Sequence, residues 1–342
     1  MNAMVMTGVK DLSRDRQPLT RVELDTPSAV AGEILVRVST CGVCHTELDE
    51  IEGRTPPPRF PTIPGHQVVG RVAAVGPGAR LYAIGDRVGI GWIAYACGRC
   101  EYCRAGNDNL CAGFLATGRD RDGGYAEYMT IGERFAFPVP DVFSDLEAAP
   151  LLCAGAIGYR SFRLAGLNNG QALGLTGFGA SGHLVLKMAR HLLPDTEVFV
   201  FARSEAERAF ALELGAVWAG DSTDRAPRLL HAVIDTTPVW KPVVEALVNL
   251  APGGRLIINA IRKEHHDQDS LLNLDYPTHL WMEKEIKSVA NVAGRDIEEF
   301  LQIAAEIPIK PEYQTYALED ANRALIDLKE RRIRGAKVLV IE

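Results

Sequence analysis

Four cysteines, at positions 97, 100, 103 and 111, crowd into one short stretch of this 342-residue chain. Two-residue gaps let a tight turn aim consecutive sulfurs at one point, and four thiolates in tetrahedral array make a closed zinc site. Any fold for this chain must therefore gather Cys97, Cys100, Cys103 and Cys111 on one loop. A shell of four cysteines leaves no coordination position for a substrate, so the expectation is a stapled lobe with no chemistry of its own. An iron–sulfur cluster would use the same four thiolates; unconnected surface thiols or disulfides are the remaining readings. Seven cysteines is an odd total, and with four in a metal-like cluster a reducing cytoplasm fits better than a disulfide scaffold. The first ten residues lack the apolar core of a signal peptide, and no run approaches the roughly twenty apolar residues of a membrane span.

The length suggests two domains. A net charge of −7 and a pI of about 5.7 argue against a phosphate backbone as partner. The first third is punctuated by Gly and Pro and carries strand patterns at 33–39, 68–75 and 87–90, with a return strand expected at 122–128. This predicts a loop-rich β domain over 1–150, with the cysteine lobe at about 92–115 hanging from it. Beyond Pro150 strands and helices alternate, with strands at 172–176, 197–202, 233–235, 256–258 and 286–290, which predicts an α/β, doubly wound parallel sheet over 151–288. Helices are expected at 297–306 and 318–330. A last strand at 337–341 closes a segment, 289–342, that returns to the first domain.

The strand at 172–176 ends in Gly177-Phe178-Gly179-Ala180-Ser181-Gly182, which opens a helix. In that context GxGxxG is a dinucleotide signal: Gly177 for the turn, Gly179 for close approach of backbone to a pyrophosphate, and Gly182 for helix–strand packing. The helix N-terminus, with Ala180 and Ser181, turns its free N–H groups to the phosphates. An acidic residue about twenty positions on would hold the ribose diol of NAD. That position is Ala202, followed by Arg203 and Ser204. A cation where the 2′-phosphate of NADP would lie favours NADP over NAD.

Three cysteines remain, Cys41, Cys44 and Cys153, and Gly65-His66 lies between them in the chain. A catalytic zinc takes three protein ligands and keeps one open position. His66 taken alone is also compatible with a buried histidine donating one hydrogen bond.

The chain resembles the zinc-dependent medium-chain alcohol dehydrogenases of bacterial type over essentially its full length. Cys41-Gly-Val-Cys-His-Thr46, Gly65-His66-Gln67-Val-Val-Gly70 with Gly76 beyond, Ala148-Ala-Pro-Leu-Leu-Cys153-Ala-Gly155, the cysteine lobe and the Gly177 turn are similar to that family's motifs, in its order. The resemblance implies a GroES-like catalytic domain and a Rossmann domain. It implies two zinc ions per chain, one held by Cys44, His66 and Cys153 and one by Cys97, Cys100, Cys103 and Cys111, with Cys41 left over. It implies reversible oxidation of an alcohol to an aldehyde or ketone, a nicotinamide coenzyme, and a homodimer or homotetramer. Thr46 matches the hydroxyl that begins the proton relay, His45 a position that contacts the coenzyme pyrophosphate, and Glu47 the acid that orients the zinc histidine, where Asp is usual. Gln67 stands where Glu is usual, and Asp49 where many relatives place the outer proton-accepting His. An NADPH-preferring aldehyde reductase of cinnamyl-alcohol-dehydrogenase type is the alternative within the family. A metal-free quinone reductase would lack the cysteine lobe and the Cys-His-Cys ligands. A zinc-ribbon interaction module is opposed by the acidic balance of the chain. The sequence does not name the alcohol; Trp92, Trp281 and Ile157 are candidates for the pocket wall.

Overall fold

Ile34, Val36 and Val38 are buried and Arg37 between them is exposed, so the chain from Glu33 runs as a strand with one face in a core. In the computed structural model, which describes residues 1–307, 309–330 and 335–341, that strand belongs to the first of two units, Met1–Cys153 with Ala293–Glu342; the second is Ala154–Val292. The first unit opens with the antiparallel pair β1 (Asn2–Met6) and β2 (Leu19–Glu23). It continues through β3 (Glu33–Val43), helix α1 (His45–Ile51), β4 (Val68–Val75) and β5 (Arg87–Ile90). Then come β6 (Ile93–Tyr95), α2 (Glu101–Arg104), β7 (Leu115–Ala116), β8 (Tyr128–Gly132), β9 (Phe137–Pro138) and α3 (Asp145–Pro150). β3, β4, β5 and β9 pair in that order, all antiparallel, and β8 pairs with the first half of β3. β6 pairs with β7, Ile93 opposite Ala116, and so closes the base of the cysteine lobe.

The strand expected at 122–128 lies instead at Tyr128–Gly132. The reason is in the backbone hydrogen bonds. Gly123, Gly124 and Tyr125 donate to the carbonyls of Ile63, Gly65 and Pro64 and Glu127 to that of Asn2, so this part clamps the loop that carries His66 and the ladder with β3 begins only at Tyr128.

The second unit runs α4 (Ala156–Ala165), β10 (Ala172–Thr176), α5 (Ala180–Leu192), β11 (Glu197–Phe201), α6 (Glu205–Glu213), β12 (Trp218–Gly220) and β13 (Leu230–Asp235). α7 (Lys241–Val248), β14 (Leu250–Ile258), α8 (Tyr276–His279) and β15 (Glu285–Ser288) complete it. Its six parallel strands lie in the order β12-β11-β10-β13-β14-β15. Its central strands β10, β11 and β13 are almost wholly buried, as in a sheet covered on both faces, while the edge strand β15 is exposed. Phe199, Phe201, Leu230, Val233, Val243 and Leu247 pack into one of its cores. The order reverses between β10 and β13, and Thr176 pairs with Asp235 there, at the carboxyl ends of both strands. Open sheets of this kind bind their ligands at that switch point.

The C-terminal segment brings α9 (Gly294–Glu306), β16 (Tyr313–Ala317), α10 (Ala321–Lys329) and β17 (Ala336–Val340). β17 pairs antiparallel with the second half of β3, Leu339 opposite Cys41, and β16 lies parallel beside β17. The helix expected at 318–330 starts at Ala321, because Leu318–Asp320 forms a 3₁₀ turn. Among the described residues no helix is long and apolar enough to cross a membrane.

Candidate active site

Strand register brings the first two metal-capable side chains together. Cys41 of β3 pairs with Val68 of β4, and the Gly42 N–H donates to the Gln67 carbonyl at 2.9 Å. Continuing that antiparallel register sets the end of β3, and Cys44 just past it, beside His66. Gly65 has φ +100° and its α-carbon is overlaid by the buried Tyr125 ring; a Cβ there would lie 2.8 Å from Tyr125 Cε1 and 2.9 Å from Cys41 Sγ. Only glycine fits this approach. Cys153 arrives from the other direction, on a π turn, Leu151–Gly155, that follows α3. Such turns are rare and frequent at functional sites. Its first two residues, Leu151 and Leu152, are fully buried, with Leu152 against Gly89 of β5.

Cys44 Sγ lies 3.8 Å from Cys153 Sγ, and Cys153 Sγ lies 3.3 Å from His66 Nε2. A tetrahedral zinc with Zn–S of about 2.3 Å and Zn–N of about 2.0 Å would separate its ligands by about 3.8 Å (S···S) and about 3.5 Å (S···N). Among the described residues the cysteine lobe is the other such group, with Cys97–Cys103 at 3.9 Å and Cys100–Cys103 at 3.5 Å. All seven cysteines are free. Both donor sets fit zinc in type and spacing. Cys41 is buried outside both sets, and burial pushes its thiol up.

Protonation follows from the same geometry. The hydrogen bond from Cys153, aided by His66, holds Cys44 well below the usual thiol range; the same bond and burial push Cys153 up. Burial alone would lower His66, but the charge of Glu47 and hydrogen bonds from Cys44 and Glu47 raise it. In the lobe, backbone N–H groups of Arg99 and Cys100 pull Cys97 down to about 6, while burial, with the neighbouring sulfurs, pushes Cys103 up to about 12. A bound cation displaces the protons such clusters hold, so metal binding here releases protons.

Glu47, in the first turn of α1, joins two ligands. Its Oε2 accepts the Cys44 N–H at 2.7 Å, and its Oε1 is 2.6 Å from His66 Nδ1. Since Nε2 faces Cys153, Nδ1 carries the proton toward Glu47, which fixes ring tautomer and orientation. Burial pushes the Glu47 carboxyl up, against the pull of His66. The longer Glu reaches where Asp is usual. Thr46 is buried with Oγ1 3.6 Å from Cys44 Sγ, and His45 is exposed at the start of α1. Asp49 is buried and paired with Arg54. The Gln67 side chain packs against Gly42. The Trp92 ring stands edge-on to His66 at 5.0 Å, so Trp92 borders the site. Trp281 is exposed beside Tyr276, and Ile157 lies on α4.

The coenzyme turn has its expected parts. Gly177 has φ +78°; a Cβ on Gly179 would meet nothing within 4 Å, and one on Gly182 would meet the Gly177 carbonyl at 2.8 Å. The backbone at Gly179 is thus open to a pyrophosphate, and α5 begins at Ala180 and Ser181; the Ala180 side chain lies outside what the structure describes. At the tip of β11, Arg203 is exposed and Ser204 caps α6. Arg208, which the sequence reading missed, donates to the carbonyls of Ala202 at 2.8 Å and Arg203 at 3.0 Å. Its position, five residues past Arg203 on the following helix, was its signal in the sequence.

Comparison with known proteins identifies the chain's relatives. Residues 30–141 match the family model of the alcohol dehydrogenase GroES-like domain. The chain is 44% identical over 332 residues to the "Probable alcohol dehydrogenase AdhA" of Mycobacterium tuberculosis (strain CDC 1551 / Oshkosh), covering 96% of this chain and 94% of that one. A solved NAD-dependent alcohol dehydrogenase superposes with TM-score 0.85 at 26% identity, covering 100% of both chains. A cobalt- and zinc-bound thermostable alcohol dehydrogenase from Pyrobaculum aerophilum has TM-score 0.86 at 23% identity, covering 99% of both, and shares the fold.

Glu47→Gln leaves one acceptor oxygen for two donors, the Cys44 N–H and the His66 Nδ1–H. Zinc affinity, titrated against a chromogenic chelator, should fall about 10- to 100-fold. Unchanged affinity would remove Glu47 from the site's architecture.

Proposed function

Since the chain belongs to the zinc-dependent medium-chain alcohol dehydrogenase family, we propose the following roles for its residues in the oxidation of an alcohol. The protein is an alcohol dehydrogenase, converting an alcohol reversibly to an aldehyde or ketone with a nicotinamide coenzyme. The observation that carries the residue roles is the convergence of Cys44, His66 and Cys153 around one point, with Glu47 behind His66. When bound, zinc supplies Lewis-acid stabilisation of the substrate oxygen and the nicotinamide accepts hydride. Cys44, His66 and Cys153 hold that zinc, and two thiolates with one neutral imidazole leave it no net charge. Glu47 keeps His66 in the ligating tautomer. Thr46 takes the hydroxyl proton of the alcohol and Asp49, beside Arg54, passes it on. His45 and the N-terminus of α5 bind coenzyme phosphates.

A second zinc in the lobe brings the count to two per chain, which the sulfur spacing supports. Reduced thiols throughout support a cytoplasmic setting. Cys100→Ser should lower bound zinc from two ions to one and lower the thermal midpoint, because a structural zinc contributes folding energy. Activity per remaining zinc should persist at temperatures where the variant is folded. Full thermal stability with selective loss of turnover would exchange the two roles.

The coenzyme is NADP by preference. No carboxylate stands at positions 202–204, Arg203 is exposed there, and Arg208 adds a second cation, 3.8 Å from Asp221. The similar structure named NAD-dependent is the rival for this point. A panel of primary, secondary and aromatic alcohols, assayed with NADP and NAD, tests reaction and coenzyme together. Arg203→Ala should cost about tenfold in kcat/KM with NADP, the value of a charge-assisted hydrogen bond, and little with NAD. A parent preference for NAD above tenfold overturns the preference.

The protein acts as a homodimer or homotetramer. All four residues of the edge strand β15 are exposed, and Ile286 in it and Trp281 and Met282 just before it are exposed apolar groups. An uncovered edge with such a patch is fit to meet a second copy. Light scattering should give a multiple of 37.3 kDa, and Ile286→Lys should shift it toward the single chain. A parent mass of one chain refutes the assembly.

A further inference from the structure

A buried ion pair stands at the switch point of the second unit. Asp235, the last residue of β13, is fully buried, and Lys263, in the loop after β14, has a side chain 7% exposed; they are in direct contact. Each is saturated by further bonds. Lys263 Nζ also donates to the carbonyls of Thr237 at 2.8 Å and Val239 at 3.0 Å. Asp235 Oδ1 accepts from Thr176 Oγ1 at 2.6 Å and Thr237 Oγ1 at 2.8 Å. Thr236 Oγ1 in turn donates to the Thr176 carbonyl at 3.0 Å. A Cβ on Gly177 would lie 2.7 Å from Thr236 Oγ1 and 3.1 Å from Thr237 Cγ2, so this loop touches the coenzyme turn.

A buried ion pair is weak evidence for stability, because desolvation offsets much of the attraction and a well-packed apolar pair of like volume is often as stable. What it does supply is geometry. The loops after β13 and β14 have no regular ladder to fix them, and Lys263 binds one to the other across the end of the sheet. In a doubly wound sheet the dinucleotide lies across the carboxyl ends of the strands, one mononucleotide per half. β10 through β12 carry the pyrophosphate turn and the tip with Arg203, which is the adenosine half. β13 through β15 are left for the nicotinamide half, and Asp235 and Lys263 both belong to it.

We propose that Asp235 and Lys263 form a positioning clamp that shapes the nicotinamide half of the coenzyme site. This rests on the nicotinamide-coenzyme reading above. Neither residue touches coenzyme; both act through the loops at 236–240 and 259–263.

Binding, measured by coenzyme fluorescence on the full-length protein, tests this without turnover. The ligands are NADPH, or NADH if it binds the parent more tightly, and the matching adenosine fragment, 2′,5′-ADP or AMP. Lys263→Met leaves a buried carboxylate unpaired and should lower the thermal midpoint. Adding Asp235→Asn removes that charge and should recover most of the midpoint, while the dissociation constant for the whole coenzyme stays at least tenfold above the parent's. The fragment should change less than twofold. Thr237→Val, which takes one hydroxyl from Asp235 and unpairs no charge, should weaken the whole coenzyme in the same direction by a smaller factor, and it decides the matter if the double variant does not fold. Parent-like coenzyme binding in the folded double variant, or in Thr237→Val where only that variant folds, overturns the clamp. So does equal weakening of coenzyme and fragment. A parent protein that binds neither NADPH nor NADH overturns the coenzyme reading itself, and the clamp with it.

Discussion

The carboxylate of Glu47 is the interaction on which the candidate metal site depends. It is wholly buried, and each of its two oxygens has a partner: the Cys44 N–H on one side and the His66 ring on the other. Burying a carboxylate is costly unless such partners are present. Here those partners are the main chain at one ligand and the side chain of a second. One group therefore caps the start of α1, aims Cys44, sets the His66 tautomer and leaves Thr46 beside Cys44. The sheet register that brings β3 and β4 together puts these residues within reach, but it does not fix their orientation to the tenths of an ångström that coordination needs. Glu47 does.

The second unit meets the opposite requirement. The dinucleotide proposed for it is an anion, and the unit offers donors in place of carboxylates: the N–H groups at the start of α5, with no neighbour within 4 Å of a Cβ on Gly179. A backbone site of this kind has no side-chain scaffold of its own. The Thr236–Thr237 loop beside Gly177, held by Asp235 and Lys263, is the part of the unit proposed to supply one.

Much of this was legible in the sequence, for a stated reason. Motifs report contacts that are local in the chain: the two-residue gaps of the lobe, the GxGxxG turn, and the cysteines and histidine of the family's motifs. The alternation of strand and helix after Pro150 gave the parallel sheet because each element spans enough residues to express its period. What stayed hidden depends on pairing between distant segments. Cys41 and Gly42 do not read as strand, yet β3 runs to Val43 because β17 and β4 pair with it there. The 122–128 stretch reads as strand, yet only Tyr128 joins β8, because the donors of Gly123, Gly124 and Tyr125 serve the His66 loop. β12 is three residues long and β16 follows the shape of β17, so neither has a period to detect. Asp235 and Lys263 lie 28 residues apart, and neither is unusual until the fold brings them into contact.

The departure at Gln67 follows from the charges already present. Glu47 and Glu50 are both buried close to His66. Burial pushes each carboxyl up, and the charge of Glu47 pushes Glu50 further. A Glu at 67 would add a third carboxyl to the same region, where like charges raise one another. A neutral amide avoids that repulsion, and the Gln67 side chain packs on the backbone of Gly42. A zinc held as proposed by Cys44 and Cys153 would have its charge balanced by those two thiolates, with Glu47 behind His66. A bound ion in that balance keeps more of its own field for the substrate oxygen than it would with another carboxylate beside it.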